Sequence, residues 1–309
     1  MKGRRTRCIA SILQPFADGA ARLAFQIQAF RSRRVRLMTL ILLAWATLAS
    51  CRNNGSEADR AKGVAAANRR RATTSIGVFS PATQSFYLKA SLVSGDPDSI
   101  VPFGQADDIA LAGDWSGDGI TKLGVFRPSE GTFYLLTQNR GGAAVNAFKF
   151  GVAGDIPVVG DWDGDGKDTI GVYRRSSAVF YLRNSNTPGP ADLTVAFGTA
   201  GERDIAVAGD FEGDGKSSIG LYSPDRSVFI LRKSLTTGSA NAVFAYGSAG
   251  GDYIPVVGDW DNNNTDTIAL YLPETSQFLL RNENSSGIAD LTITFRAPTG
   301  RPLAGRWNR

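Results

Sequence analysis

Four stretches of the chain gather oxygen-bearing side chains at a spacing that could do chemistry. GDWDGDGKDTIGVY at 160–173 sets Asp161, Asp163 and Asp165 at alternate positions, followed by a Gly-Lys-Asp turn and an apolar run. The same pattern returns as GDWSGDGITKLGVF at 113–126, GDFEGDGKSSIGLY at 209–222 and GDWDNNNTDTIALY at 258–271. Three readings are open for such a stretch. Alternate carboxylates can converge on a hard cation, and a pair of acids in unlike environments can cleave a glycosidic bond. An Asp/Gly turn can also hold its own backbone N–H groups and do nothing more. A helix–loop–helix calcium hand is excluded, because Val172 stands where its twelfth-position Glu is required and no helical period flanks the loop.

The elements that must carry these loops follow from their recurrence. The leading aspartates Asp114, Asp161, Asp210 and Asp259 lie 47, 49 and 49 residues apart. An apolar triplet keeps step with them at Phe86-Tyr87-Leu88, Phe133-Tyr134-Leu135, Phe180-Tyr181-Leu182, Phe229-Ile230-Leu231 and Phe278-Leu279-Leu280. A Phe/Tyr-Gly pair follows at 103–104, 150–151, 197–198 and 246–247, and decays to Phe295-Arg296 in the last copy. Each unit holds four short β-rich segments separated by turn residues, as at 156–159, 169–173, 179–183 and 193–197. Four antiparallel strands per unit of 40–50 residues predict an all-β, five-bladed β-propeller.

Closure is predicted by which strands begin and end the array. The chain enters at a second strand, Ile76–Phe79, and leaves at a first strand, Pro302–Gly305. That C-terminal strand is expected to complete the N-terminal blade and leave no free edge in the ring. Residues 73–309 therefore form the propeller domain, expected to be a monomer.

Composition narrows the function classes. The sequence has no histidine, which removes the commonest general base and all His-ligated metal chemistry. Its two cysteines, Cys8 and Cys51, both precede the repeats. Residues 1–72 hold 15 of the 34 Lys/Arg and 3 of the 29 Asp/Glu, leaving 19 against 26, a net of −7, in residues 73–309. An acidic body argues against nucleic acid as a partner.

The basic part is a leader, 1–50. Arg31–Arg36 form a charged n-region and Leu37–Leu48 a 12-residue apolar h-region, short of the roughly 20 residues a membrane-spanning helix needs. The run ends in Leu48-Ala49-Ser50-Cys51, which resembles the lipobox of bacterial lipoproteins. The resemblance implies lipid modification of Cys51 and a membrane-anchored lipoprotein facing the periplasm or cell surface. Residues 51–72 lack apolar periodicity and read as a flexible tether with a reach of about 26 Å.

With its FYL strand and FG turn, the GDWDGDGKDTIGVY unit resembles the FG-GAP repeat of integrin-type propellers and VCBS-like bacterial surface proteins. The likeness covers residues 73–309, and five blades depart from the seven of the integrin branch. It implies calcium in the aspartate turns. The oxygens would come from Asp161, Asp163, Asp165 and the Lys167 carbonyl. The matching sets are Asp114, Ser116 and Asp118; Asp210, Glu212 and Asp214; and Asp259, Asp261 and Asn263. The family's acid at position nine is replaced by Lys122, Thr169, Ser218 and Thr267. Lys122 makes the Asp114 loop the poorest candidate, and Asn264 stands in for a loop glycine because asparagine tolerates positive φ.

Catalysis is not expected, because the acids recur in equivalent turns instead of forming an unlike pair. Glu212, Lys122, an inserted Tyr253 and the basic Arg296, Arg301 and Arg306 break the repeat without making an acid–base–nucleophile set. Trp115, Trp162, Trp260 and Trp307 read first as packing between blades, and alternatively as sugar platforms. The expected function is non-catalytic surface binding or adhesion toward a protein or glycan partner. The alternative is a carbohydrate-active enzyme, a hydrolase or lyase, or a lectin-like sensor using the propeller face.

Overall fold

A computed structural model describes residues 73–307. Every regular element among them is a strand. The N-terminal blade contains β1 (Ser75–Ser80), β2 (Ser85–Leu88) and β3 (Ser99–Pro102). Blade two contains β4 (Ile109–Gly113), β5 (Lys122–Arg127), β6 (Thr132–Leu136) and β7 (Val145–Lys149). Blade three contains β8 (Ile156–Gly160), β9 (Thr169–Arg174), β10 (Val179–Leu182) and β11 (Leu193–Ala196). Blade four contains β12 (Ile205–Gly209), β13 (Ser218–Ser223), β14 (Val228–Arg232) and β15 (Ala242–Ala245). Blade five contains β16 (Ile254–Gly258), β17 (Thr267–Leu272), β18 (Gln277–Leu280) and β19 (Leu291–Thr294). The last strand, β20 (Arg301–Gly305), returns to the N-terminal blade.

Each blade is a four-stranded antiparallel sheet. The innermost strands β20, β4, β8, β12 and β16 touch in that cyclic order, which makes a closed five-bladed β-propeller. Closure occurs as the sequence predicts. β20 pairs with β1 from Ser75↔Gly305 to Phe79↔Arg301, and the Trp307 indole Nε1 donates to the Ile76 carbonyl at 3.0 Å.

The core is set by the alternation of the apolar triplet. In FYL the Phe points into the sheet interface and is fully buried, whereas Tyr87, Tyr134 and Tyr181 are half-buried on the other face. Each triplet Phe packs in a tilted pair against the aromatic opposite it in the second strand: Phe79–Phe86, Phe126–Phe133, Tyr173–Phe180, Tyr222–Phe229 and Tyr271–Phe278. Their ring centroids lie 4.5 to 4.8 Å apart. Such pairs contribute about 0.5–1.5 kcal/mol each beyond their buried area.

Register corrects one reading. Ile205 pairs with Tyr222 and Ile254 pairs with Tyr271, so blades four and five run in step without an extra residue. Tyr253 is therefore a replacement, not an insertion. It stands where Asp108, Asp155 and Asp204 precede their own first strands. In the loops ahead of blades two and three those aspartates hold the arginine of the second strand: Asp108 takes Arg127 Nε at 2.9 Å and Asp155 takes Arg174 Nε at 2.8 Å.

The decay of the last Phe-Gly pair also has a physical cause. Gly104, Gly151, Gly198 and Gly247 all take positive φ, between 89° and 99°. Arg296 does not; its N–H donates to the Gly95 carbonyl at 3.0 Å, and the Gly95 N–H donates to the Thr294 carbonyl at 3.1 Å. The outer end of blade five is thus tied to the N-terminal blade instead of turning on a glycine.

Candidate cation loops on the axial face

The aspartate loops join the first and second strands of blades two to five, so topology gathers all four at one end of the ring. Strand one ends in glycine where the following tryptophan folds back over it, in every blade but the fourth, in which a Cβ on Gly209 would meet Val257 and Asp266. A Cβ on Gly160 would lie 2.8 Å from the Trp162 ring and 2.6 Å from Ser217. Trp162, Trp260, Trp307 and the substituting Phe211 are buried, in keeping with packing and not with a ring of exposed sugar platforms.

Within each loop the leading carboxylate accepts backbone N–H groups. Asp161 Oδ1 takes Gly164 N at 2.7 Å and Asp165 N at 3.1 Å, while Oδ2 takes Gly166 N at 2.8 Å. Asp114 does the same with Gly117, Asp118 and Gly119. Asp210 holds Asp214 and Gly215, and Asp259 holds Asn263 and Asn264. Two positive-φ positions shape every loop, Gly164 and Gly166 in blade three and Asn262 and Asn264 in blade five. Asparagine replaces glycine there, as expected, with φ of 62° and 67°.

The leading aspartates also organise the axis. Asp168 and Asp266, the residues just before the ninth position of their loops, bridge to the neighbouring blade. Asp114 N donates to Asp168 Oδ2 at 2.7 Å, and Asp210 N to Asp266 Oδ2 at 2.8 Å. Hydroxyls do the equivalent work at the other junctions: Asp161 N to Ser217 Oγ at 3.0 Å, Asp259 N to Thr74 Oγ1 at 3.1 Å, and Arg306 N to Thr121 Oγ1 at 2.9 Å. Each bridging residue returns its own N–H to the carbonyl of the residue it caps, for example Ser217 N to Asp161 O at 2.7 Å and Thr121 N to Arg306 O at 2.9 Å. The signal was in the sequence: the residue seven places after each leading aspartate always carries a side-chain oxygen.

These junctions surround an axial cavity of about 390 Å³, lined by Thr121, Asp168, Ser217, Asp266 and Arg306 among others. Arg306 stands where the other blades have aspartate, and its guanidinium lies 3.6 Å from Asp259 Oδ2. Burial pushes the Asp168 carboxyl up to about 6. It pushes Asp161 to about 6 as well, with the neighbouring charges of Asp165 and Asp163 adding to the rise. Asp259 is also raised by burial, against the opposing pull of its Asn264 N–H bond and Arg306.

The blade-three loop brings carboxylate oxygens of Asp161, Asp163 and Asp165 within 4.8 Å of one another. Among the described residues, no equivalent group of three acids forms in the other loops. In blade two the corresponding space holds Lys122, whose side chain is 10% exposed. Its Nζ donates to Ser116 Oγ at 2.6 Å, Asp118 Oδ1 at 2.9 Å and the Ile120 carbonyl at 3.2 Å, and lies 3.9 Å from Asp114 Oδ1. Those are loop positions three, five, seven and one. The sister loop of blade three offers carboxylates at one, three and five and has Thr169 at the ninth position; there the exposed Lys167 ammonium lies 3.4 Å from Asp165 Oδ2, outside the ring of loop oxygens that Lys122 enters in blade two.

A second set of internal cations went unread in the sequence. Arg183, Arg232 and Arg281 follow their triplets at an interval of 49 and thread the loop between third and fourth strands. Arg183 donates to the Thr187 and Pro188 carbonyls at 2.7 and 3.0 Å, and Arg281 to those of Ser286 and Ile288, both at 3.1 Å. Arg232 engages Thr236 and Ser239 in the same way.

No family model and no curated protein sequence matches the chain. A solved structure to which it is similar is described as the crystal structure of BBS1N in complex with ARL6DN, soaked with lead. The match has a TM-score of 0.38 at 9% identity and covers 74% of this chain and 81% of that one.

Proposed function

We propose that the chain is an exported, lipid-anchored binding module of the FG-GAP type, non-catalytic, recognising a protein or glycan partner at the cell surface. Calcium stiffens its loop face. The observation that carries the calcium reading is the convergence of Asp161, Asp163 and Asp165 in the same loop geometry that holds an ammonium in blade two. Asp161, Asp163, Asp165 and the Lys167 carbonyl would hold the ion, which would supply positive charge to buried carboxylates and rigidity to a turn. The Asp210 loop, with Glu212 and Asp214, is the second candidate, and the Asp259 loop, with Asp261 and Asn263, the third. The non-catalytic reading rests on the leading acids, which accept backbone N–H groups in near-identical loops and so do not form a pair in unlike environments flanking one reacting centre.

The anchor at Cys51 and the tether lie outside the described residues. A Cys51→Ala variant should leave the membrane fraction for the soluble one; unchanged partitioning counts against lipidation. A glycan array together with a hydrolase screen on the full chain tests the binding function. Saturable binding without turnover is expected, and turnover without saturable binding overturns it.

A further inference from the structure

The Asp114 loop is the one whose cation can be identified by name. Four oxygens from positions one, three, five and seven surround a single nitrogen, and that nitrogen belongs to the chain itself. We propose that the Asp114 loop is a cation site occupied by the Lys122 ammonium, so that blade two is held without a metal, and that removing this ammonium opens the loop to a hard divalent ion or a small free ammonium. The ammonium half of this inference stands whether or not the sister loops take calcium.

The physical argument is charge balance in a confined loop. Lys122 is nearly buried, yet its charge is satisfied by two carboxylates, a hydroxyl and a carbonyl. The loop is therefore poised around a positive charge, not merely tolerant of one nearby. Divalent calcium takes the same oxygen types, and an alkylammonium matches the three donors that lysine offers. The ninth-position threonines of blades three and five show that the fold accepts a short side chain there, where Thr169 and Thr267 donate to the Gly160 and Gly258 carbonyls at 3.3 Å.

Lys122→Thr in the full chain is the test, with Lys122→Met as the neutral control that keeps the aliphatic stem. Thermal unfolding is followed in chelator, then with calcium chloride, methylammonium chloride or tetramethylammonium chloride at matched ionic strength. Terbium uptake is counted by luminescence sensitised through the adjacent Trp115. The threonine variant is expected to melt several degrees lower in chelator and to regain at least half of that loss with calcium or methylammonium. Tetramethylammonium is expected to restore none of it, and the variant should take up one more equivalent of terbium than the wild type. The methionine variant should lose stability without rescue by either cation. A threonine variant that melts with the wild type and takes up no extra terbium overturns the proposal, as does a loss that neither calcium nor methylammonium corrects. Failure of the calcium reading for the Asp161 loop would appear separately, as a wild type indifferent to chelator and without terbium uptake.

Discussion

The loops of blades two and three are nearly superimposable in sequence, GDWSGDG against GDWDGDG, and they solve the same electrostatic problem differently. In blade two the positive charge is covalent: Lys122 arrives from the first residue of the second strand and ends among the loop oxygens. In blade three that residue is Thr169, its hydroxyl turned to the Gly160 carbonyl, and a third carboxylate, Asp163, replaces Ser116. One loop carries its cation and the other carries the acids for one. The contrast teaches that repeat equivalence fixes backbone geometry but not charge. The two loops part at the third position, Ser116 against Asp163, and at the ninth, Lys122 against Thr169.

The largest expected effect follows from the acids of blade three. Asp161 is buried and raised to about 6 from its ordinary 3.8, a rise worth on the order of 3 kcal/mol. A carboxyl raised in the folded state contributes stability that is present in full below pH 3.8 and lost as pH climbs through 6. Roughly half of it disappears between pH 5 and pH 7.5. In chelator the protein should therefore unfold at a lower denaturant midpoint at pH 7.5 than at pH 5; saturating calcium should close the share that belongs to Asp161, while the share of Asp168, also raised to about 6 by burial and engaged by Asp114 N instead of the ion loop, should remain. Denaturant titrations at both pH values, with and without calcium, check this. A gap that calcium leaves untouched would separate the Asp161 charge from any ion site.

Transplanting the blade-two solution into blade three is the sharper cut. Thr169→Lys places an ammonium beside Asp161, Asp163 and Asp165 and gives up one hydroxyl hydrogen bond of 3.3 Å. The charged contacts are worth about 1.5–3 kcal/mol and the lost hydroxyl bond about 1 kcal/mol, so a net gain of about 0.5–2 kcal/mol is expected in chelator. The calcium response of this loop should vanish with it. Thermal scans in chelator and in calcium decide the matter; a variant that still gains from calcium as the wild type does would break the equivalence of the two loops.

How far the sequence led is itself a matter of which interactions are local. Five blades, the strands within a residue or two of their ends, and the closing strand, expected at Pro302–Gly305 and observed at Arg301–Gly305, were readable because each depends on a period-two pattern and a turn within one repeat. The positive φ at Asn264 was readable for the same reason. What lay hidden depends on the next blade. Asp168 and Asp266 sit close in sequence to candidate ligands, yet their partners are backbone N–H groups 54 and 56 residues away. No inspection of a single repeat separates a ligand from a bridge. The alignment of Thr74, Thr121, Asp168, Ser217 and Asp266 across repeats would have done so, since all five share an oxygen and only two share a charge. Lys122 was recognised as a charge near the loop; that its stem is long enough to finish inside it is a fact of three dimensions.

The smallest effect tests whether backbone shape and cation chemistry are separable, as the comparison requires. The blade-five loop has the same two left-handed positions as blades two and three, filled by Asn262 and Asn264 where those blades have glycine. Asparagine in that region is strained relative to glycine, while glycine costs more backbone entropy on folding, so the two terms nearly offset. Asn264→Gly should stabilise by no more than about 0.5–1 kcal/mol, because the hydrogen bond to Asp259 Oδ2 is donated by its backbone N–H and survives the change. Its calcium response should match the wild type, since residue 264 contributes no oxygen to the set of Asp259, Asp261 and Asn263. A stabilisation within that range with an unaltered chelator shift would confine residue 264 to shaping the turn. An altered chelator shift would mean that turn geometry itself sets the affinity, and that the charge at the ninth position is not the sole difference between a self-filled loop and an open one.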